Sequence, residues 1–277
     1  MNEIRKKQRK LYKIMKVVTI VGAIYLFVYI GIQPYVADAS QLAARICGYI
    51  SDAAVIAVLV LVFMYYSKYG KADNFLKSAE NEINDNGYYF TARAENTAAD
   101  FIEAVSDDLS SCGYSVSKKV ALEDFEADVK AVKSKEFFYA VNIDNVDSND
   151  VVAYIDCVIN DIVVKNLKRK GNAVILFVTD KADESAIALS KMITPVGKKE
   201  QLKVAVAIAE PKSKNVYFLG NVQTKCQQII VNFVMNCDIP LKDEFIHKDK
   251  LPFQYALAEK MKDFTLEDYK AGNFYLH

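Results

Sequence analysis

The chain of 277 residues contains no tryptophan, 2 histidines, 5 cysteines, 10 glycines and 5 prolines. Each shortage closes off a class. His247 and His277 both lie near the C-terminus, so Ser-His-Asp and Cys-His machinery has little to draw on. Cys47, Cys112, Cys157, Cys226 and Cys237 form no C-x-x-C pair, which disfavours zinc and fits free, buried thiols in a reducing compartment. No G-x-x-x-x-G-K-[ST] loop occurs, because Gly197-Lys198-Lys199 lacks its frame, and no G-x-G-x-x-G occurs either. The acids Asp144, Asp147 and Asp150 lack the glycine and the final glutamate that a calcium loop requires. Scarce Gly and Pro with a charged fraction of 25% exclude a disordered or collagen-like chain.

Net charge is also missing, at +0, but the balance hides two opposite parts. Residues 1–71 carry 10 Lys/Arg against 3 Asp/Glu, or +7; the remainder carries 25 against 32, or −7. Two long apolar runs account for the first part, at 17–36 and 46–66. Each is about 20 residues, and about 20 residues of helix cross about 30 Å of hydrocarbon. Tyr35, Tyr49, Tyr65, Tyr66 and Tyr69 stand near their ends, where aromatic belts form. Arg5, Lys6, Lys7, Arg9, Lys10, Lys13 and Lys16 precede the first run, and Lys68, Lys71 and Lys77 follow the second. The segment 37–45 between them has one basic residue, Arg45. The positive-inside rule then predicts a transmembrane hairpin in the cell membrane, multi-pass, with both termini cytoplasmic. The rival reading is a signal peptide cleaved at Ala37-Asp38-Ala39, after which the second run would still anchor the chain. Asp52 is an intramembrane charge by sequence, but it sits about 9 Å of helical rise into its run and reads as interfacial. The basic tail sets topology and can also grip anionic lipid.

The rest of the chain alternates its periods. A helix is expected over 72–84, with Phe75, Leu76, Ala79 and Ile83 on one side, then a short strand at 88–90. Asn96 or Thr97 caps a helix carrying Phe101, Ile102, Val105 and Leu109, which Gly113 ends. A weak strand follows at 114–122. In the next, Phe125, Ala127, Val129 and Ala131 face one way and Glu126, Asp128 and Lys130 the other. A third strand, 137–143, is apolar enough to be central. Ser148 caps a helix over 151–167, and 173–178 is a buried strand. Asp180 or Asp183 starts a helix through Met192, stopped by Pro195. Strands at 202–209 and 216–219 and a helix through Val222, Cys226, Ile229, Ile230 and Phe233 complete the pattern. The expected fold class is α/β: the two-helix hairpin (1–71), a connecting helix and strand (72–96), a mixed-sheet cytosolic domain (97–236) and a surface tail (237–277). Nucleic acid fits this part poorly, since it is net negative with two arginines, Arg93 and Arg169. The basic patch at 165–170 reads as a helix-end complement.

Residues 99–189 resemble the Mrr-type branch of the restriction-endonuclease-like (PD-(D/E)xK) superfamily. The resemblance lies in the order helix, three strands, helix, strand, helix, in the step Gly113-Tyr114-Ser115-Val116, and in Asp128 within Ala127-Asp128-Val129. It also lies in the helix and strand 151–167 and 173–179 and in the Ala-rich helix near Glu184. It implies a metal-dependent nuclease fold in which Asp128 would be a metal ligand. The family's Gln/Glu-x-Lys triplet reads Asn142-Ile143-Asp144 here, so a weak ligand and an acid replace the carboxylate and the lysine. Lys130, on the same expected face as Asp128, is the replacement candidate. Asp128, Lys130, Asn142 and Asp144 are therefore the candidate site. With that constellation broken, the chain reads as a membrane-anchored, non-catalytic binding or scaffold module needing no cofactor. Its expected partners are the lipid bilayer and a protein, or a second copy of itself. The alternatives are a tethered nuclease with a rearranged Mg²⁺ site, and an accessory subunit of a membrane complex.

Overall fold

The computed structural model of the protein describes all residues except 71, 124, 166–169, 198–199 and 273–277. Lys71, most of the basic patch at 165–170, Lys198, Lys199 and His277 thus lie outside the described residues. The chain forms two compact units, residues 1–77 with 260–274, and residues 78–259.

The first unit is built on α1 (Asn2–Ala39) and α2 (Gln41–Tyr69). Both apolar runs lie inside these helices. The expected connection at 37–45 shrinks to a turn at Ser40, whose Oγ accepts the Ala43 N–H at 3.4 Å and caps α2. Pro34 lies inside α1; the ring removes one backbone bond and the helix continues past it. The helices pair side by side: Tyr25 Oη donates to the Cys47 carbonyl at 3.1 Å, and the Tyr12 and Tyr65 rings lie 5.6 Å apart. Each helix has an 18-residue apolar window of which 6% is buried, so both are long and apolar enough to cross a membrane. Phe27 and Phe63 are 81% and 73% exposed, and Asp52 is exposed on α2. At the polar end Asp73 accepts from Arg5, Gln8 and Lys77 at 2.8, 2.5 and 2.6 Å. Burial pushes its carboxyl up, but the bonds from Lys77, Gln8 and Arg5 outweigh this and hold it below the usual range. The Met1 ammonium donates to the carbonyls of Met261, Lys262 and Phe264, and Phe75 packs on Phe264 and Tyr269.

The second unit opens with the end of α3 (Ala72–Asn84), then β1 (Tyr89–Phe90) and α4 (Ala98–Ser111), which Thr97 caps through the Asp100 N–H. A meander follows: β2 (Ser115–Leu122), β3 (Phe125–Lys133) and β4 (Glu136–Asn142). After the short β5 (Asn145–Val146), Asp147 and Asp150 form a capping box for α5 (Ser148–Asn160), which widens into a π turn at Asp161–Lys165. Next come β6 (Gly171–Val178), β7 (Lys181–Ala182), α6 (Glu184–Ser190), β8 (Ile193–Val196), β9 (Leu202–Glu210) and β10 (Asn215–Tyr217). Last are α7 (Lys225–Ile229) with a π turn at Ile230–Val234, a 3-10 turn at Asp243–Phe245 and most of α8 (Pro252–Lys262), whose end belongs with α9 (Leu266–Ala271) to the first unit.

One mixed sheet runs β1-β10-β9-β6-β4-β3-β2, with β8 paired to the first half of β9. The three central strands, β4, β6 and β9, are parallel, and their near-continuous apolar sequences follow from burial on both faces. One face packs against α4 and the α7 π-turn segment through Phe101, Leu109, Ile230 and Val234. The other packs against α5 and α6 through Val151, Val158, Ile162 and Ala186. The result is a mixed α/β sandwich of three layers.

Several elements depart from the sequence reading. Pro195 does not stop a helix; α6 ends at Ser190 and Pro195 lies in β8, paired on one side only, where a missing N–H is tolerated. The helix expected to reach 167 leaves α-geometry at Asp161. The final strand is shorter than expected, and β5 and β7 form an extra parallel pair. The segment 237–277, expected on the surface, contributes the buried side chains Gln254, Leu257, Met261 and Phe264. The single-faced pattern of 125–131 also breaks. Val116, Val129 and Ala131 belong to the α4 layer, whereas Val120, Leu122 and Ala127 belong to the α5 layer. Lys119 has φ 54 in the middle of β2, and this left-handed residue turns the tip of the β2–β3 hairpin over.

Candidate functional site

The turned hairpin decides what the sequence-derived residues can do. Asp128 stands opposite Lys119, the residue at the reversal. Its Oδ1 accepts from Lys119 Nζ at 2.5 Å and its Oδ2 from the Asn142 backbone N–H at 2.7 Å. The bond to Asp128, together with its charge, raises the Lys119 pKa. Lys130 goes elsewhere: its Nζ donates to Asp161 Oδ2 at 2.6 Å and lies 5.7 Å from the centre of the Tyr139 ring. Tyr139 Oη donates to the same Asp161 oxygen at 2.7 Å. Burial, then the bond to Asp161, pushes the Tyr139 phenol well above its ordinary value. Asp161 is 5% exposed and opens the π turn after α5, so this trio ties β3 and β4 to that helix.

Asn142 is exposed at the end of β4 and meets Asp128 only through its main chain. Asp144 acts through its carbonyl, which accepts from Thr179 Oγ1 at 2.9 Å and from the N–H groups of Asp180 and Lys181. The structure therefore joins Asp128 to Asn142 but gives Lys130 a different carboxylate. Among the described residues, no group of three or more His, Cys, Asp or Glu is arranged to hold a metal ion. A single carboxylate with both oxygens already bonded fits Mg²⁺ poorly.

A second polar centre has no counterpart in the sequence reading. The last carbonyls of α3 have no helical partners of their own. Lys250 Nζ donates to Ile83 O and Asp85 O at 2.5 and 2.6 Å, and Gln254 Nε2 to Glu82 O and Asp85 O at 2.9 and 3.1 Å. Beside them Lys191, fully buried, donates to Asp85 Oδ2, Asn86 O and Phe218 O at 2.8, 2.9 and 2.8 Å. An ammonium has three N–H groups, and all are used. Burial lowers the Lys191 pKa, opposed by Asp85. Asp85 Oδ1 accepts from Tyr89 Oη and the Gly220 and Asn221 N–H groups at 2.7, 3.1 and 2.9 Å. Burial and the neighbouring Asp85 push the Tyr89 phenol well up. This centre is saturated, and a saturated lysine is a strut and not a nucleophile.

Against it lies a cavity of about 270 Å³, lined by Tyr89, Gly220, Asn221, Thr224, Gln227 and apolar side chains of the 239–246 segment. Gln227 is 3% exposed, and neither its Oε1 nor its Nε2 has a hydrogen-bond partner among the described residues. The same holds for Thr224 Oγ1. The sequence signal was weak: Gln227 lies beside, not on, the apolar face set by Val222, Cys226, Ile229, Ile230 and Phe233, where a polar residue reads as solvent-facing.

Comparison with protein-family models, with curated proteins and with solved structures finds no match to this chain.

Proposed function

We propose that the protein is a membrane-tethered binding module: α1 and α2 sit in a bilayer, and the α/β unit binds a partner on the cytoplasmic side without catalysing a reaction. The observation that carries the tether is the exposure of two paired apolar helices, with 6% of each window buried. Apolar surface on that scale marks a membrane or protein interface, and the basic residues flanking both runs favour lipid with cytoplasmic ends. The non-catalytic half of the reading draws on Asp128 and Lys130, whose charges are already spent on Lys119 and Asp161. The test is fractionation of cells expressing the full chain, with maleimide labelling of Cys112, which is exposed in the α/β unit. The protein should stay in the pellet after alkaline carbonate extraction, and Cys112 should label only when the inner face is opened. Release by carbonate, or labelling from outside, would overturn the tether or its orientation.

A nuclease reading is favoured by one observation, the order α4, β2, β3, β4, α5, β6, α6 with an acid on β3. Cleavage of plasmid DNA by the detergent-solubilised chain with Mg²⁺ or Mn²⁺, lost in Asp128→Ala, would replace the binding reading with it.

A further inference from the structure

We propose that the open cavity at the base of the helical hairpin binds the headgroup of an anionic phospholipid by its single phosphodiester. The proposal deepens the tether reading and rests on it, because it needs α1 and α2 to end at a lipid surface.

The cavity lies within the first unit and measures about 620 Å³, inside the roughly 300–1,000 Å³ range of small-ligand sites. Four elements each bring one lysine to its lining: Lys7 from α1, Lys68 from α2, Lys262 from α8 and Lys270 from α9. Folding alone gathers them, since Lys7 and Lys270 stand near opposite ends of the chain. All four residues are exposed, so their charge is open to a ligand. Three carboxylates share the lining and decide what kind of anion fits. Glu3 Oε2 lies 3.4 Å from Lys7 Nζ, Asp263 acts on the Met1 ammonium, and Glu267 stands in the first turn of α9. None of them pairs with Lys68 or Lys270. Among the described residues neither of these two ammonium groups has a hydrogen-bond partner, and Lys68 Nζ lies 5.7 Å from the centre of the Tyr69 ring. Lysine binds phosphate as a point charge. Two unpaired cations beside three fixed acids suit an anion with one negative charge, because a polyphosphate or a nucleic-acid backbone would press further charges against the acids.

Depth names the source of that anion. Lys68 and Tyr69 follow the apolar run 46–66 by two and three residues, or about 3–5 Å of helical rise. The headgroup layer on each face of a bilayer is about 5–7 Å thick, so the cavity opens at the level of the lipid phosphates. The cytoplasmic leaflet is the one that carries anionic lipid. Ile4, Tyr69 and Phe264, all buried, give the cavity an apolar floor for the glycerol end of the headgroup.

The test is native mass spectrometry of the full chain in dodecyl maltoside micelles, titrated with dioleoylphosphatidylglycerol or dioleoylphosphatidylcholine. The chain should retain one phosphatidylglycerol, and phosphatidylcholine, whose choline sets a cation before the lysines, should bind about tenfold more weakly. Lys68→Gln with Lys270→Gln should weaken phosphatidylglycerol about tenfold and erase the preference, with an unchanged circular dichroism spectrum. Lys6→Gln with Lys13→Gln removes the same charge from α1 outside the cavity and should stay within about twofold of the parent. Equal losses in the two double variants would overturn the site and leave a diffuse basic surface. So would equal retention of both lipids by the parent. A large excess of glycerophosphate should not displace the lipid; displacement would assign the cavity to a soluble phosphate ester and overturn the lipid assignment. A chain that resists carbonate and shows no lipid preference loses the site and keeps the tether. Release by carbonate, with phosphatidylglycerol still held through Lys68 and Lys270, loses the tether and keeps the site.

Discussion

Lys191 and Gln227 are both buried polar residues, yet they stand at opposite ends of satisfaction. Every N–H of Lys191 is used, and its carboxylate partner also holds three further donors. Lys191→Met should therefore strand the Asp85 charge and lower stability by about 3–5 kcal/mol. Urea unfolding of the full chain, followed by tyrosine fluorescence, measures it. Adding Asp85→Asn should restore part of the loss, because a neutral amide no longer needs the ammonium. High pH probes the same interior. Burial pushes the Cys226 thiol up to about 12 from 9.0, and Tyr217 rises to about 12 from 10.0 through burial and then Glu210. Tyr89, Tyr114, Tyr139 and Tyr154 rise as well. The folded state keeps protons that the unfolded state gives up. Stability is therefore full below about pH 9 and is lost as pH climbs toward 12. Absorbance at 295 nm should show the buried tyrosines ionising in one step with unfolding. A gradual titration of Tyr89, Tyr114, Tyr139, Tyr154 and Tyr217 ahead of unfolding would contradict this burial. None of this chemistry was legible in the sequence, because Asp85 and Lys191 lie 106 residues apart at unremarkable helix ends.

At the scale of elements, periodicity carried most of the reading. The helices with strong three- and four-residue patterns and the apolar central strands lie where their patterns put them. The failures have local causes. No residue type announced that Lys119 would take a left-handed conformation, which Lys rarely adopts, so the face reversal of the β2–β3 hairpin was hidden. With it went the true surroundings of Asp128, Lys130 and Ala127. Lys119→Gly removes the steric strain of a left-handed residue that carries a side chain and forfeits only an exposed, solvent-screened ion pair. It should leave stability equal or slightly raised. Lys119→Val, branched at the strained position, should lower it by more than 1 kcal/mol. Paired thermal melts of the two variants decide the matter; equal losses would mean that the ion pair and not the backbone sets the turn. The π turns after α5 and α7 were likewise unreadable, because they keep the apolar face while changing the hydrogen-bond step.

For the whole molecule, the uneven charge and the two apolar runs were the plainest signals in the sequence. They rest on composition over long windows and not on any one contact. The described helices carry those runs outward-facing, with Leu59 62% exposed near the middle of α2. Under the tether reading, Leu59→Arg places a charge at mid-bilayer, at about 2.5–3.5 kcal/mol. The carbonate-resistant fraction should drop clearly, while urea unfolding of the α/β unit stays unchanged. An identical pellet fraction would argue that protein, and not lipid, covers α2. Partner and pathway leave no comparable trace, since they depend on a few surface side chains whose meaning comes from what meets them.

The bonds around Asp85 also set an order in time. Its carboxylate is made early, but the groups that receive it, Lys191, Gly220 and Asn221, follow 106, 135 and 136 residues later. At about 5–20 residues per second, a ribosome needs roughly 7–27 s to supply the last of them. Until then the carboxylate has no place in the interior and stays in water. A chain cut short before Asn221 could assemble the β2–β3–β4 meander and still be unable to close over Asp85. Completion of the chain is thus built into the conditions for burying one side chain: a nascent-chain series should stay protease-sensitive at every stall point before residue 221 and turn resistant only once Asn221, the α7 segment and Gln254 have left the ribosome.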